Sequence, residues 1–167
     1  HKAPHIVAMN PRGRLPILKH DDYVVFESVA VLYYLDLKYP EPPIFGRTAE
    51  EAGVIMRVIC EFEAYAEDHL MKIVRALFEG GVNETNIGEL TRAMLAVASE
   101  ARTIEGRLSK GDWIVGDAYS AADMVVFPAI QVLLRALKKP RAGVLASRAT
   151  MPGSPRTTTV APTPVSR

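Results

Sequence analysis

Cysteine is nearly absent from this chain, since Cys60 is its only cysteine among 167 residues. A single cysteine excludes an internal disulfide framework and suits a reducing compartment such as the cytoplasm. Excess charge is also lacking, because the formal net charge is only +1 and both signs are interspersed. The chain therefore offers no electrostatic basis for binding nucleic acid or an anionic membrane.

Long apolar runs are missing as well. No run reaches the roughly 20 residues that a membrane-spanning helix needs. The start, His1-Lys2-Ala3-Pro4, has neither an initiator methionine nor the apolar segment of a signal peptide, so we expect a piece of a longer protein. What is present is 49% hydrophobic and 23% charged residues, which predicts a globular body.

The amino-terminal part combines short strands with one helix. Two apolar, β-rich runs, Leu15–Leu18 and Tyr23–Phe26, predict an antiparallel hairpin. A helix is predicted from Glu27 to about Tyr39, where a cluster of prolines ends it. The proline-rich segment 41–46 that follows predicts a domain boundary.

The middle of the chain has the pattern of a helical bundle. Apolar residues recur at three- and four-residue steps over two segments, 48–78 and 84–109, which predicts two long antiparallel helices. Ser120 and Asp123 have capping-box spacing at the start of a third helix. That helix is apolar on nearly every face, so we expect it in the middle of the bundle.

The end of the chain has a different composition. Residues 140–167 contain five prolines and no aromatic residue, so they are predicted to be disordered. The fold class expected is thus an α+β part followed by an all-α helical bundle. The predicted domains are residues 1–45, 46–139 and the tail 140–167.

Two motifs lie about 90 residues apart. The first is Asn10-Pro11-Arg12-Gly13-Arg14-Leu15-Pro16-Ile17-Leu18, followed eight residues later by Glu27-Ser28 and, further on, Tyr34-Leu35. The second is Gly116-Asp117-Ala118-Tyr119-Ser120-Ala121-Ala122-Asp123, with Asp112-Trp113 before it. The pair resembles the signatures of the cytosolic glutathione transferase family, and the resemblance covers residues 1 to about 139.

The resemblance implies a glutathione site in the carboxyl-terminal half of a thioredoxin-like domain. A cis peptide bond at Leu15-Pro16 would turn the Leu15 backbone toward the cysteinyl part of glutathione. Glu27 and Ser28, at the start of a helix, would bind the γ-glutamyl group through the positive end of the helix dipole. The alternatives are an ordinary trans proline on an edge strand and a serine that only caps the helix.

Weaker candidates come from the plant-type pattern of the family. His1, Lys2 and Pro4 match His-Lys-x-Pro, whose basic pair lies near the glycyl carboxylate of glutathione, and Arg14 stands where the pattern usually has Gln. The alternative for His1 and Lys2 is solvated surface charge. The resemblance places the catalytic Tyr, Ser or Cys before residue 1, so the catalytic residue is unknown. It also implies further helices that cover the bundle, so the chain is interpreted as truncated before the catalytic residue and before the last helices.

The resemblance also implies partners. Glutathione is expected as a co-substrate, with no metal, beside a small hydrophobic electrophile and a second copy in a cytoplasmic homodimer. The rival interpretation is a non-catalytic, transferase-like protein-interaction module, and a third is a generic helical bundle without a small-molecule site. Ser120 and Asp123 are interpreted as structural and Cys60 as buried packing.

Overall fold

From β1 onward the elements of the structure, a computed structural model, follow the order expected from the sequence, and a short helix that was not predicted precedes them. Residues 2–138 are described, so the predicted tail at 140–167 lies outside the described residues. The elements are α1 (Pro4–Met9), β1 (Ile17–His20), β2 (Tyr23–Phe26), α2 (Ser28–Lys38), α3 (Ala49–Phe62), α4 (Asp68–Arg75), α5 (Ile87–Leu108) and α6 (Ala121–Lys138). The predicted fold class is confirmed, whereas the domain boundaries stay predictions.

The predicted hairpin is present as an antiparallel pair of β1 and β2. Ile17 pairs with Phe26 at the open end and His20 with Tyr23 at the turn. Asp21 begins the turn at a φ of 55°, a left-handed conformation that Asp tolerates better than most residues. Within residues 2–138 no third strand joins this sheet.

The long helix predicted over 48–78 is present but is not uniformly α-helical. Thr48 caps it as expected, because its hydroxyl accepts a hydrogen bond from the Glu51 N–H at 3.2 Å. π-helical turns at Glu63–Glu67 and Ala76–Gly80 interrupt it. An extra residue in a turn re-aims every side chain after it, and such turns occur frequently at functional sites.

The helical core is joined to the amino-terminal part through the proline-rich segment. Phe45 of that segment is 3% exposed and belongs to the same cluster as Ile59, Leu70 and Val126. Its neighbour Ile44 is held from both sides. The Ile44 N–H donates to the Asp36 carboxylate of α2 at 2.6 Å, and the Ala121 N–H of α6 donates to the Ile44 carbonyl at 2.8 Å.

Three predictions about burial are wrong in part. The helix α5 begins at Ile87 rather than at about Glu84, and only part of its apolar stripe is buried, since Ile87 and Met94 are half exposed along a groove of about 520 Å³. In α6 the small residues face the core while Phe127 is 61% exposed.

Cys60 is exposed rather than buried because its neighbours Val58, Ile59 and Phe62 occupy the core face of α3.

No helix within residues 2–138 combines the length and apolar character needed to cross a bilayer. Charged side chains lie on the exposed sides of α4 and α5. For example, Lys72 of α4 pairs with Glu89 of α5 at 3.1 Å on the exposed side of their contact.

The Asp123 carboxylate fixes the start of α6. One oxygen accepts from the Ser120 N–H and the Ser120 hydroxyl, both at 2.9 Å, and the other accepts from the Ile114 N–H at 3.0 Å. All three residues are buried. Buried hydrogen bonds to a carboxylate are stronger than neutral ones, so this group closes the loop before α6 onto the helix. The predicted structural role of Ser120 and Asp123 is consistent with these bonds.

Asp123→Ala should lower the free energy of unfolding by about 3 kcal/mol, because it leaves buried donors without an acceptor. Urea denaturation followed by circular dichroism measures the change. Asp112→Ala is the matched control, since Asp112 is exposed in the same loop. Equal losses in the two variants would show that the Asp123 bonds do not hold the fold.

Candidate functional site

The loop before β1 is built around a buried amide. Asn10 is 1% exposed. Its Nδ2 donates to the Arg14 carbonyl at 2.9 Å, and its Oδ1 accepts from the Arg12 N–H at 3.1 Å. Gly13 completes the turn at a φ of 57°, where a residue without Cβ is favoured. One side chain thus sets the path of the chain into Leu15.

Leu15 is exposed to solvent rather than packed in the core. The Leu15-Pro16 peptide bond is cis, as the resemblance implied. Leu15 is 63% exposed. No hydrogen bond within residues 2–138 engages its N–H or C=O. Its backbone donor and acceptor are therefore available to an extended peptide.

The start of α2 has an unusual backbone. Glu27, the residue before the helix, has φ 73° and ψ 128°, a conformation that residues other than glycine rarely adopt. The first bond of the helix runs from the Val31 N–H to the Glu27 carbonyl. No side chain caps this end, so the N–H groups of Ser28, Val29 and Ala30 have no partner among the described residues. Free N–H groups at a helix start favour an anionic ligand.

The two candidate segments leave the hairpin at the same end. Ile17 pairs with Phe26, so Pro16 and Glu27 are the next residues beyond the last strand pair. The exposed Leu15 backbone and the open start of α2 therefore lie near the same end of the small sheet. The structure brings together the strongest candidates that the sequence predicted.

Glu27 and Ser28 also line a cleft between α2 and the helical bundle, with a volume of about 510 Å³. Its far wall is apolar and is formed by Met71, Met124, Val125, Pro128, Ala129 and Val132. Glu63 and Glu67, on the first π-helical turn, complete it. Burial raises the pKa of the Glu63 carboxyl above its ordinary value, and the charges of Glu67 and Glu27 raise that pKa further.

The weaker candidates lie outside this cleft. The Lys2 ammonium donates to the Arg12 carbonyl at 3.2 Å, which ties it to the Asn10 loop. Arg14 is exposed, and only its carbonyl is bonded within the described chain. Leu15 and Pro16 do not line the cleft either. His1 lies outside the described residues.

Sequence reasoning missed Asn10, Glu63 and Glu67 as parts of the site. Asn10 stands inside the first motif, but its spacing gives no sign of a buried amide. Glu63 and Glu67 belong to an acidic run whose ordinary interpretation is the solvent-exposed face of a helix, whereas in the structure both lie on a π-helical turn and line the cleft. Within residues 2–138 no cluster of His, Cys, Asp and Glu is arranged to hold a metal ion.

Comparison with known protein families gives two matches along the chain. The family described as "Glutathione S-transferase, N-terminal domain" matches residues 1–37, and "Glutathione S-transferase, C-terminal domain" matches residues 67–145. Together they span more than half of the sequence. The first match contains Leu15 and Ser28, and the second contains the Asp123 cap.

Individual relatives agree with these matches. Glutathione S-transferase F10 of Arabidopsis thaliana is 29% identical over an alignment of 144 residues, and the match covers 83% of this chain and 66% of that protein. Maleylacetoacetate isomerase of Pseudomonas aeruginosa is 27% identical over 133 residues, 77% of this chain and 60% of that protein. The chain thus spans less than two thirds of the length of these relatives.

Solved structures show the same fold. Glutathione transferase F2 from Populus trichocarpa superposes with a TM-score of 0.71 at 19% identity, covering 81% of this chain and 65% of that one. Human glutathione S-transferase T1-1 gives 0.70 at 18% identity, covering 80% and 58%. The architecture is therefore that of the cytosolic glutathione transferases. The chain belongs to the glutathione S-transferase family.

Glu27→Gly should raise the free energy of unfolding by about 1 kcal/mol relative to Glu27→Ala, because glycine adopts a φ of 73° without strain. Both variants remove the carboxylate, so their difference isolates the backbone. Urea denaturation measures both. An alanine variant as stable as the glycine variant would show that the Glu27 conformation carries no strain.

Glu63→Gln should raise the melting temperature at pH 7 by no more than about 2 °C, since Glu63 is largely exposed. Below the ordinary pKa of 4.5 the carboxyl is protonated in folded and unfolded states alike. As pH rises through the raised folded pKa, ionisation costs the folded state more, and stability falls. Glutamine avoids that loss. Melts at pH 4 and pH 7 test this, and Glu105→Gln on α5 is the control. A larger gain at pH 4 than at pH 7 would contradict the assignment.

Proposed function

We propose that the protein is a glutathione transferase that joins the glutathione thiol to small hydrophobic electrophiles, and that this chain supplies part of its glutathione site. The observation that carries the proposal is the open start of α2, where Glu27 holds a strained backbone and leaves the Ser28 N–H unpaired. Family membership supports glutathione as the ligand, and the open start of α2 supports Glu27 and Ser28 as residues of its site.

The γ-glutamyl end of glutathione has one carboxylate and one ammonium group. The free N–H groups and hydroxyl of Ser28 are donors for the carboxylate, assisted by the positive end of the α2 dipole. The Glu27 side chain, exposed at the same point, is an acceptor for the ammonium. A zwitterionic group thus meets complementary charges on consecutive residues.

The cysteinyl residue of glutathione would lie along Leu15. Its N–H and C=O can pair with the unbonded Leu15 N–H and C=O as an added strand, which fixes direction and register. Lys2, Arg14 and His1 remain candidates for the glycyl carboxylate because each is cationic or can become so. Pro16 acts only through the path that it gives to Leu15.

The reaction needs a thiolate. A hydrogen-bond donor or positive charge beside the thiol lowers its pKa, so that sulfur attacks an electrophile near neutral pH. The new bond forms between sulfur and the electrophilic carbon, and a leaving group departs or a double bond is saturated. No residue of this chain is assigned to the thiol, so its residues would bind and orient the nucleophile.

The apolar wall of the cleft suits the second substrate. Met71 and Met124 are adaptable side chains that accommodate varied apolar shapes. A cytoplasmic location and a homodimeric assembly complete the proposal. They rest on the family alone.

Millimolar glutathione should raise the melting temperature of the full chain, because a ligand of the folded state stabilises it by about 2.7 kcal/mol at a concentration of 100 Kd. Ser28→Ala should weaken glutathione binding about tenfold in calorimetric titration. It should leave the melt without ligand unchanged, since no hydrogen bond of the Ser28 hydroxyl occurs in the described chain. Ser99→Ala on α5 is the matched control.

The outcomes separate the alternatives. A cooperative melt that glutathione does not shift would favour the non-catalytic, protein-interaction module. Binding that survives Ser28→Ala at full strength would refute the site while leaving the family intact.

A further inference from the structure

A second cavity lies between α3 and the loop that follows α5, and it shares no lining residue with the cleft at Ser28. Its volume is about 330 Å³. Three of its lining side chains are cationic, namely Arg57, Arg107 and Lys110. Trp113 and the apolar residues Val54 and Ile114 form the rest of its wall together with backbone.

The cationic side chains of this cavity have more hydrogen-bond donors than the nearby carboxylate can accept. Glu61 takes the Arg107 Nη2 in a hydrogen-bonded ion pair, and its other oxygen lies 3.8 Å from the Arg57 Nε. The Arg107 Nη1 is buried and has no hydrogen-bond partner. A buried, unpaired guanidinium N–H is costly, and native proteins rarely leave one unsatisfied.

The remaining donors are also free. Within residues 2–138 the Lys110 ammonium makes no hydrogen bond or ion pair, and the Trp113 indole N–H donates to nothing while its ring packs edge-on against Tyr119. Asp117 is the one lining carboxylate in this part of the chain. The cavity with its Glu61 partner therefore keeps a net positive charge.

Space for a ligand comes from the backbone of the loop. Gly116 has a φ of 65°, which few residues with a Cβ adopt, and a Cβ built on it would meet nothing within 4 Å. A Cβ on Gly111 would come 3.9 Å from the Gly116 carbonyl. The two glycines leave the rim beside Trp113 free of side chains.

We propose that this cavity binds a small organic oxyanion, a carboxylate or phosphate monoester attached to a planar apolar group. Arg57 and Lys110 supply donors for the oxygens, the Arg57 guanidinium matches the geometry of such oxyanions, and Arg107 adds positive charge to the wall. The planar group lies against the Trp113 indole and the apolar wall. This site goes beyond the proposed transferase function and does not depend on it.

Trp113 is the only tryptophan of the chain, so its fluorescence reports on the cavity without a label. The full chain is titrated with phenyl phosphate, benzoate, inorganic phosphate and the neutral benzamide. Saturable quenching by phenyl phosphate or benzoate is expected, weaker at 0.5 M than at 0.05 M salt, because a partly exposed charge contact is screened. The two aromatic anions distinguish a phosphate from a carboxylate preference.

Arg57→Gln and Lys110→Gln should each weaken the aromatic anion about fivefold, and the double variant about 25-fold, because each removes a charged donor. Arg102→Gln on α5 is the matched control, since Arg102 is exposed and does not line the cavity. Circular dichroism melts confirm that every variant is folded. Benzamide binding as tightly as benzoate, no saturation up to about 10 mM anion, or equal affinities in the variants and the control would each overturn the proposal.

Discussion

The buried Asp123 carboxylate is the interaction on which the arrangement of the two parts depends. It accepts hydrogen bonds from Ile114 and Ser120, and so fixes the first turn of α6 against the loop before it. The next residue, Ala121, donates its N–H to the Ile44 carbonyl, and the Ile44 N–H donates to Asp36 of α2. A short chain of bonds therefore runs from the helical core to the helix whose start forms the candidate site. Because each step uses a backbone group, it constrains position far more than a contact between flexible side chains would.

Backbone strain at the candidate site lowers the stability that these bonds provide. Glu27 holds a backbone conformation that glycine would adopt more easily, and the N–H groups after it make no hydrogen bond within the described chain. A strained residue persists only where its surroundings over-determine it, here a strand pair on one side and a tethered helix on the other. Pre-set N–H groups lose little entropy when an anion binds, which is the usual benefit of such strain. The strain and the open helix start thus point to the same use.

The sequence predicted the hairpin, every long helix and the Thr48 cap because each depends on local chemistry that spacing records. Its motif pair also led to Leu15, Glu27 and Ser28. The burial of α5 and α6 was predicted less well, since half-exposed Met94 and Phe127 look like core residues when only periodicity is known. The π-helical turn at Glu63–Glu67 escaped prediction because one extra residue in a turn leaves an apolar pattern almost intact. The role of Asn10 was not predicted because it depends on the burial of the amide, and that burial exists only in the folded loop.

Glu61 and Glu63, two residues apart, show how position decides the effect of a charge. Glu61 ends a regular α-helical stretch and faces Arg107 and Arg57, so its carboxylate is neutralised by two guanidinium groups. Glu63 begins the π-helical turn and lines the cleft, where burial, followed by the charges of Glu67 and Glu27, raises the pKa of its carboxyl. Glu61 therefore neutralises part of the positive charge of the cationic cavity, whereas Glu63, half a turn later, adds negative charge to the wall of the cleft. A cleft with such a wall repels a second anion, so in the proposed site glutathione would depend on its ammonium at Glu27 as much as on its carboxylate at Ser28.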